Sequence, residues 1–277
     1  MITTKEYIKS KLPIRSALSH KGTYGHVMLA CGSDSMRGAA ALAALGALRC
    51  GAGLVTVAST HAVINALSTN IYEALWLDTD KKDMICESDR MDAVGIGCGS
   101  GQTKNTFNNV RWLMTRRGAP LVIDADGINV LSGNTKLFEK AERDIILTPH
   151  PREFSRLCGL DIKDIQANRE EIARVFAMKH GVTLLLKGHE TVITNGKEIF
   201  VNPTGNSALA KGGSGDVLCG MICAFIAQGA SPLDAAVIAA YVHGLAGERL
   251  AKVYSEYGVL ASEIPLEAAT VLKEFTI

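Results

Sequence analysis

The residues best suited to chemistry lie in one run, Asn202 to Gly229, NPTGNSALAKGGSGDVLCGMICAFIAQG. Gly212, Gly213 and Gly215 lead into an apolar stretch with helical spacing, Val217, Leu218, Met221, Ile222, Phe225 and Ile226, and Asp216 stands at the joint. A helix start leaves backbone N–H groups unpaired and carries partial positive charge, and glycine lets that backbone come close to an anion. Gly213 to Gly215 are therefore expected to form an anion hole for a phosphoryl group. No Gly-Lys-Ser/Thr follows the glycines, so this is not a Walker loop. A carboxylate beside an anion site repels the ligand unless something stands between them. Asp216 fits if it faces a hydroxyl that attacks phosphorus, taking the proton and aligning the oxygen. Its plainer role is a helix cap, which Ser214 could supply instead.

Other candidates sit in short polar clusters. Lys187 ends VTLLLKG and can reach nucleotide phosphates or simply be solvated. DADGIN offers Asp124, Asp126 and Asn129 for magnesium or a water network, with Asp126 as a plain helix cap the alternative. His150 in TPHPRE is held between two prolines and reads as a rigid contact residue or a turn histidine. GCGSG, Gly97 to Gly101, is a weak signal alone and reads equally as a tight turn. Cys219 and Cys223 are four apart on the expected helix and read as core thiols rather than a metal pair.

The elements that must carry these clusters follow from the hydrophobic pattern. HVMLACG, GLVTVAS, MDAVGIG, APLVID and DIILTPH read as buried strands separated by helical segments. Among those segments are RGAAALAALGALRCGAG, small-residued nearly all round, and the charged DIQANREEIARVFAMKHG. From Val182 the rhythm changes to strands separated by KGHE and NGKE, expected as antiparallel hairpins. Only helix follows. The expected fold is α/β, a central mostly parallel sheet covered by helices on both faces, with antiparallel strands at one edge. No linker, repeat or composition break divides the chain, so one domain is expected over residues 1–277. In such sheets ligands bind beyond the carboxyl ends of the strands, which is where the clusters fall. That convergence points to an enzyme.

Composition excludes other classes. With 29 basic and 28 acidic residues the net charge is +1, which gives no footprint for nucleic acid or an anionic membrane. The start lacks the roughly 7–15-residue apolar core of a signal peptide. No apolar run approaches the ~18 residues of a membrane span. With seven cysteines in no metal spacing, a cytoplasmic protein is expected.

Taken together, HKGTYGHVMLACGS, GAAALAALGALRCGAGLVTV, DADGINVL, LTPHPREF, LLKGHETVIT and the opening run resemble the ribokinase-like superfamily. Within it they are most similar to the ADP/ATP-dependent NAD(P)H-hydrate dehydratases, in the bacterial ADP-using form. YVHGLAGE, Tyr241 to Glu248, fits the same pattern. The resemblance implies transfer of the terminal phosphate of ADP, or of ATP, to the ring hydroxyl of (6S)-NADHX or (6S)-NADPHX. Loss of phosphate then restores NADH or NADPH, leaving AMP from ADP. It implies that Asp216 is the base and that Gly213 and Gly215 hold the phosphoryl group. It also implies that Lys187, Gly188, His189, Glu190, Thr191, Asn206 and Gly215 serve the nucleotide. Ala39, Gly99, Gly101, His150 and Asp216 then line the hydrate, with Mg2+ bridging phosphates. A homotetramer and a separate epimerase for the R epimer are implied as well, since only about twenty residues precede the first motif where some relatives carry an epimerase domain. The family pattern GPGLG is GCGSG here, and TPHPGE is TPHPRE with Arg152. A small-alcohol kinase, such as a thiamine-precursor kinase, and a non-catalytic nucleotide sensor are the competing readings.

Overall fold

The computed structural model describes residues 1–276. Nine strands form one sheet: β1 His26–Ala30, β2 Leu54–Ser59, β3 Ala74–Asp78, β4 Ala93–Ile96, β5 Leu121–Ile123, β6 Ile145–Leu147, β7 Thr183–Leu186, β8 Val192–Thr194 and β9 Ile199–Val201. Their order is β3-β2-β1-β4-β5-β6-β7-β8-β9. The first seven are parallel, with β1 in register His26 to Leu54 on β2 and Val27 to Ala93 on β4. The last two join antiparallel, as the hairpin signals require.

Strand side chains alternate between two cores. Val27 and Leu29, Val122, Ile146 and Leu185 face one. Met28 and Ala30, Leu121 and Ile123, Ile145 and Leu147, and Leu184 and Leu186 face the other. A period of two with apolar residues at every position is the signature of a sheet buried on both faces.

The helices fall in layers accordingly. They are α1 Lys5–Lys11, α2 Arg37–Arg49, α3 His61–Leu67, α4 Met84–Glu87, α5 Lys104–Met114, α6 Ala125–Asn129, α7 Pro151–Cys158, α8 Ile162–Ala167, α9 Arg169–His180, α10 Ser214–Ala227, α11 Pro232–Gly258 and α12 Ile264–Lys273. The first core packs against α2, α10, α11 and α12, and the second against α5, α7 and α9. α10 is buried all round: every residue from Val217 to Ala227 is buried. It lies between the sheet and a further helical layer, so it has no wet face. Gly46 of α2 and Gly220 of α10 make this possible, because a Cβ at either would overlap the other helix's backbone.

Two departures concern boundaries. The helix expected across residues 164–180 breaks at Asn168 (φ −141°, ψ 48°) into α8 and α9. β3 went unread because its sequence, ALWLD, has only one strongly buried pair at a sheet edge. α11 bends at Ser255, whose φ of 64° is non-helical. Among the described residues no helix is long and apolar enough to cross a membrane.

Candidate active site

The carboxyl ends of β1, β4, β5, β6 and β7 point to one edge of the sheet, and the polar clusters follow directly from them. α10 starts at the same edge. Its N-cap is Gly213 in the left-handed region (φ 94°), which carries no capping side chain. Neither Asp216 nor Ser214 is the cap. Ser214 is the first helical residue and its hydroxyl lies 3.2 Å from His243 Nε2, while the same nitrogen is 3.0 Å from the Ser214 carbonyl oxygen. Asp216 sits in the first turn. Burial raises the Asp216 carboxyl, helped by the charge of Asp124, to about 6, against the lowering effects of Cys98 and Lys187.

Lys187 leaves β7 and its Nζ donates to Asp124 Oδ1 at 2.8 Å. Thr148 Oγ1 donates to the same oxygen at 2.8 Å. Asp124 is thus a buried carboxylate committed to a lysine and a hydroxyl. Burial lowers the Lys187 pKa, but Asp124 and Glu153 outweigh it and hold the ammonium charged, above its ordinary range. A Cβ on Gly215 would meet Lys187 Nζ at 3.2 Å and Asp124 Oδ2 at 3.6 Å. The ammonium therefore stands over the first turn of α10.

The turn after β4 is built with equal care. Gly101 N–H donates to Asp126 Oδ2 at 2.8 Å, so Asp126 ties down this loop rather than capping α6. Ala39 on α2 meets Gly99 closely: a Cβ at Gly99 would lie 2.6 Å from the Ala39 Cβ. Ala39 and Gly99, both expected to line the substrate, do come together. His150 caps α7, its Nδ1 accepting the N–H groups of Arg152 and Glu153 at 3.1 Å each. Glu153 returns the bond by accepting the His150 N–H at 2.8 Å, closing a capping box. With Nδ1 an acceptor, the neutral ring carries its proton on Nε2. Burial, then Lys187, lowers the His150 pKa and favours that neutral form. Arg152 sits in ordinary helical backbone, so the residue that replaces glycine here costs the turn nothing.

The loop from Gly188 to Thr191 is exposed apart from Thr191, whose hydroxyl donates to the Gly188 carbonyl at 2.9 Å. Glu190 adopts a positive φ of 53°. His189 and Glu190 line a cavity of about 390 Å³ together with Gln166, Asn168 and Arg169. Arg169 was not read from the sequence. Its Nη2 donates to the Leu186 and Lys187 carbonyls at 2.9 and 3.3 Å, fixing the end of β7. Asn206 shapes its own turn, its Oδ1 accepting the Ala208 N–H at 3.1 Å. Glu248 was also missed; it accepts the Gly205 N–H at 2.7 Å and anchors NPTGN to α11. Its signal was available only as part of YVHGLAGE.

Cys98, Asp124 and Asp216 bring one donor atom each within 4.8 Å of one another. They do not fit magnesium, which demands oxygen ligands in near-octahedral array. Cys98 is a thiol held protonated by its contact with Cys219 and by burial. Asp124 is already paired with an ammonium. Cys219 and Cys223 are buried core thiols, as read from the sequence.

A parallel sheet with an antiparallel edge, and a glycine-led helix start facing a lysine across its carboxyl edge, defines a ribokinase-like α/β protein, the class of a similar structure from Enterococcus faecalis (TM-score 0.88, 28% identity, 99% of this chain and 95% of that one). Within that class the chain belongs to the NAD(P)H-hydrate dehydratase family, whose sequence pattern matches residues 27–268. It is 37% identical over 275 residues to the ADP-dependent (S)-NAD(P)H-hydrate dehydratase of Bacillus subtilis, covering 98% of each chain. It is also 37% identical over 275 residues to the bifunctional NAD(P)H-hydrate repair enzyme of Moorella thermoacetica, covering 95% of this chain but 52%, about half, of that relative. The B. subtilis ADP/ATP-dependent NAD(P)H-hydrate dehydratase, co-crystallised with ATP and Mg2+, superposes with a TM-score of 0.90 at 35% identity, covering 99% of this chain and 98% of that one.

Proposed function

We propose that this chain is an ADP-dependent (S)-NAD(P)H-hydrate dehydratase. The observation that carries the reading is the Asp216 carboxylate in the first turn of α10, with the Lys187 ammonium across Gly215 from it. In this reading the ring hydroxyl of the (6S) hydrate lies between Asp216 and the terminal phosphorus of ADP. Its oxygen attacks phosphorus as Asp216 takes the proton, and AMP departs. The C–O bond of the phosphate ester then breaks, inorganic phosphate leaves and the neighbouring ring carbon loses a proton, restoring the nicotinamide double bond. Gly213 to Gly215 hold the transferring group through backbone N–H groups, and Lys187 offsets its charge.

Lys187, Gly188, His189, Glu190, Thr191, Asn206 and Gly215 serve the nucleotide in this proposal. Ala39, Gly99, Gly101, His150 and Asp216 serve the hydrate. Magnesium would be brought with the nucleotide and would offset phosphate charge, since the Cys98, Asp124 and Asp216 cluster does not suit it. The chain acts as one folding unit, supported by its continuous sheet. A cytoplasmic location is supported by seven free cysteines. A homotetramer, and a separate epimerase delivering the (6S) form, complete the reading.

The test is incubation of the purified protein with ADP and (6S)-NADHX or (6S)-NADPHX. Growth of reduced-nicotinamide absorbance, matched by AMP and phosphate, is expected. No such growth, with ATP-dependent phosphorylation of a small alcohol instead, would move the function to a kinase.

A further inference from the structure

Lys211 directly precedes Gly212 and Gly213, yet its ammonium is committed to another part of the chain. Nζ donates to the Tyr257 and Val259 carbonyls at 2.6 Å each. Those carbonyls flank the end of α11, and a helix end leaves acceptors unpaired and carries partial negative charge. The backbone of the same residue closes the glycine turn, its carbonyl accepting the Ser214 N–H at 3.4 Å. Two further contacts join the same stretches. Ser207 Oγ donates to a Glu256 carboxylate oxygen. A Cβ on Gly213 would lie 3.1 Å from the Ala261 Cβ, so the segment after α11 packs on the N-cap of α10. Ser255, where α11 bends, combines its φ of 64° with a ψ of 166°, a region that almost only glycine enters freely. Such backbone persists only where its surroundings impose it. Val259 is buried while Tyr257 and Leu260 are exposed, so the segment is held at Val259 and at the glycine turn.

We propose that Lys211 is a positioning residue for the glycine turn. Through the Tyr257 and Val259 carbonyls it fastens residues 256–261 as an outer wall, and that wall keeps Gly213 at the backbone angle from which α10 starts. This rests on the reading of Gly213 to Gly215 as the anion hole. The turn needs support from outside. Gly212 and Gly213 are conformationally free by themselves, and an N-cap without a side chain gives the start of α10 no capping bond. An anion hole works best when its N–H groups are aimed before the ligand arrives. Lys211 supplies that order with one side chain and two acceptors. A direct bond from Lys211 to a phosphate is the alternative role. The two differ in when they act: a wall acts before any nucleotide binds, and a phosphate ligand only afterwards.

The experiment compares the parent protein with Lys211→Met and Lys211→Arg. Hydrogen exchange without nucleotide reads the Ser214 N–H and the amides of residues 256–261. Steady-state kinetics read KM for ADP and for the (6S) hydrate. Lys211→Met should speed exchange at those amides about tenfold while β4 to β6 keep parent rates. It should raise the ADP KM about threefold to tenfold and leave the hydrate KM within about twofold. Arginine keeps cationic donors for the two carbonyls, so Lys211→Arg should stay near the parent in both readouts. A general loss of folded protein would lower apparent kcat without a selective rise in the ADP KM. Unchanged exchange in Lys211→Met overturns the proposal, and with a raised ADP KM it assigns Lys211 to the phosphate instead. Faster exchange with an ADP KM within about twofold of the parent overturns it as well. If the methionine variant does not fold, Lys211→Gln is judged by the same criteria. A parent protein that binds no ADP by calorimetry removes the anion-hole reading, while the exchange comparison still decides whether Lys211 holds the wall.

Discussion

In the turn from Gly97 to Gly101, a side chain at Gly97 would collide with backbone, and one at Gly99 would press on Ala39 and Met36. In the turn from Gly212 to Gly215, a Cβ at Gly212 meets nothing within 4 Å, and one at Gly215 meets only Lys187 and Asp124. Both turns open on the same edge of the sheet. The first needs glycine because the protein itself fills the space. The second is glycine where the protein leaves the space free, which is what a group bound over a helix start requires. Gly213 lies between these cases, with its φ of 94° and Leu42 close by. A glycine kept by packing and a glycine kept for a ligand look the same in a sequence, and only the neighbours separate them.

Substitutions can break this contrast. The largest effect is expected at the joint of the second turn: Asp216→Asn should lower kcat by about 10²–10⁴-fold in the coupled nicotinamide assay, with nucleotide binding largely retained. Its parent activity should fall as pH drops through about 6, because the base must be ionised. The stability effect has the opposite sign. The native carboxyl binds its proton more tightly than the unfolded one, so stability falls as pH rises from the ordinary carboxylate range through about 6. Asp216→Asn should therefore melt above the parent at neutral pH and level with it at acid pH, read by calorimetry.

Next comes Lys187→Met, which leaves Asp124 buried without its counter-charge. About 3–5 kcal/mol of stability should be lost, together with a rise in nucleotide KM, measured by denaturant unfolding and kinetics on the same protein. Gly97→Ala should cost about 2–4 kcal/mol, from positive φ and backbone overlap, and should lower melting temperature before any kinetic defect is isolated. Gly212→Ala should sit within about 0.5 kcal/mol of the parent in stability. Its expected defect is a several-fold rise in nucleotide KM. Equal losses of stability at Gly97 and Gly212 would erase the distinction between the two turns.

The sheet was largely legible because its strands are continuous apolar runs ending in glycine or proline clusters. Placing Asp216 at the joint needed only the change from KGGSG to an apolar helix. Partners separated by long stretches of sequence were not legible. The pairing of Asp124 with Lys187 spans 63 positions, and neither residue carries a local mark of the other. Arg169 reads as the start of a surface helix, yet its guanidinium braces the end of β7. His150 was read as a rigid contact residue or a turn histidine; its capping box with Glu153 depends on the neighbouring helix and was not read. What covers α10 was not legible either, because that layer comes from α2, α11 and α12, two of them later in the chain.

The near-contact of α2 and α10 at Gly46 and Gly220 bears on how the molecule opens. With backbones touching, α10 cannot slide, turn or fray inward without separating the two helical layers. Its interior amides should exchange with solvent only through global unfolding, at the slowest rate in the molecule. The start of α10 then inherits the lifetime of the whole fold, while the exposed loop at Gly188 to Glu190 should open on its own clock.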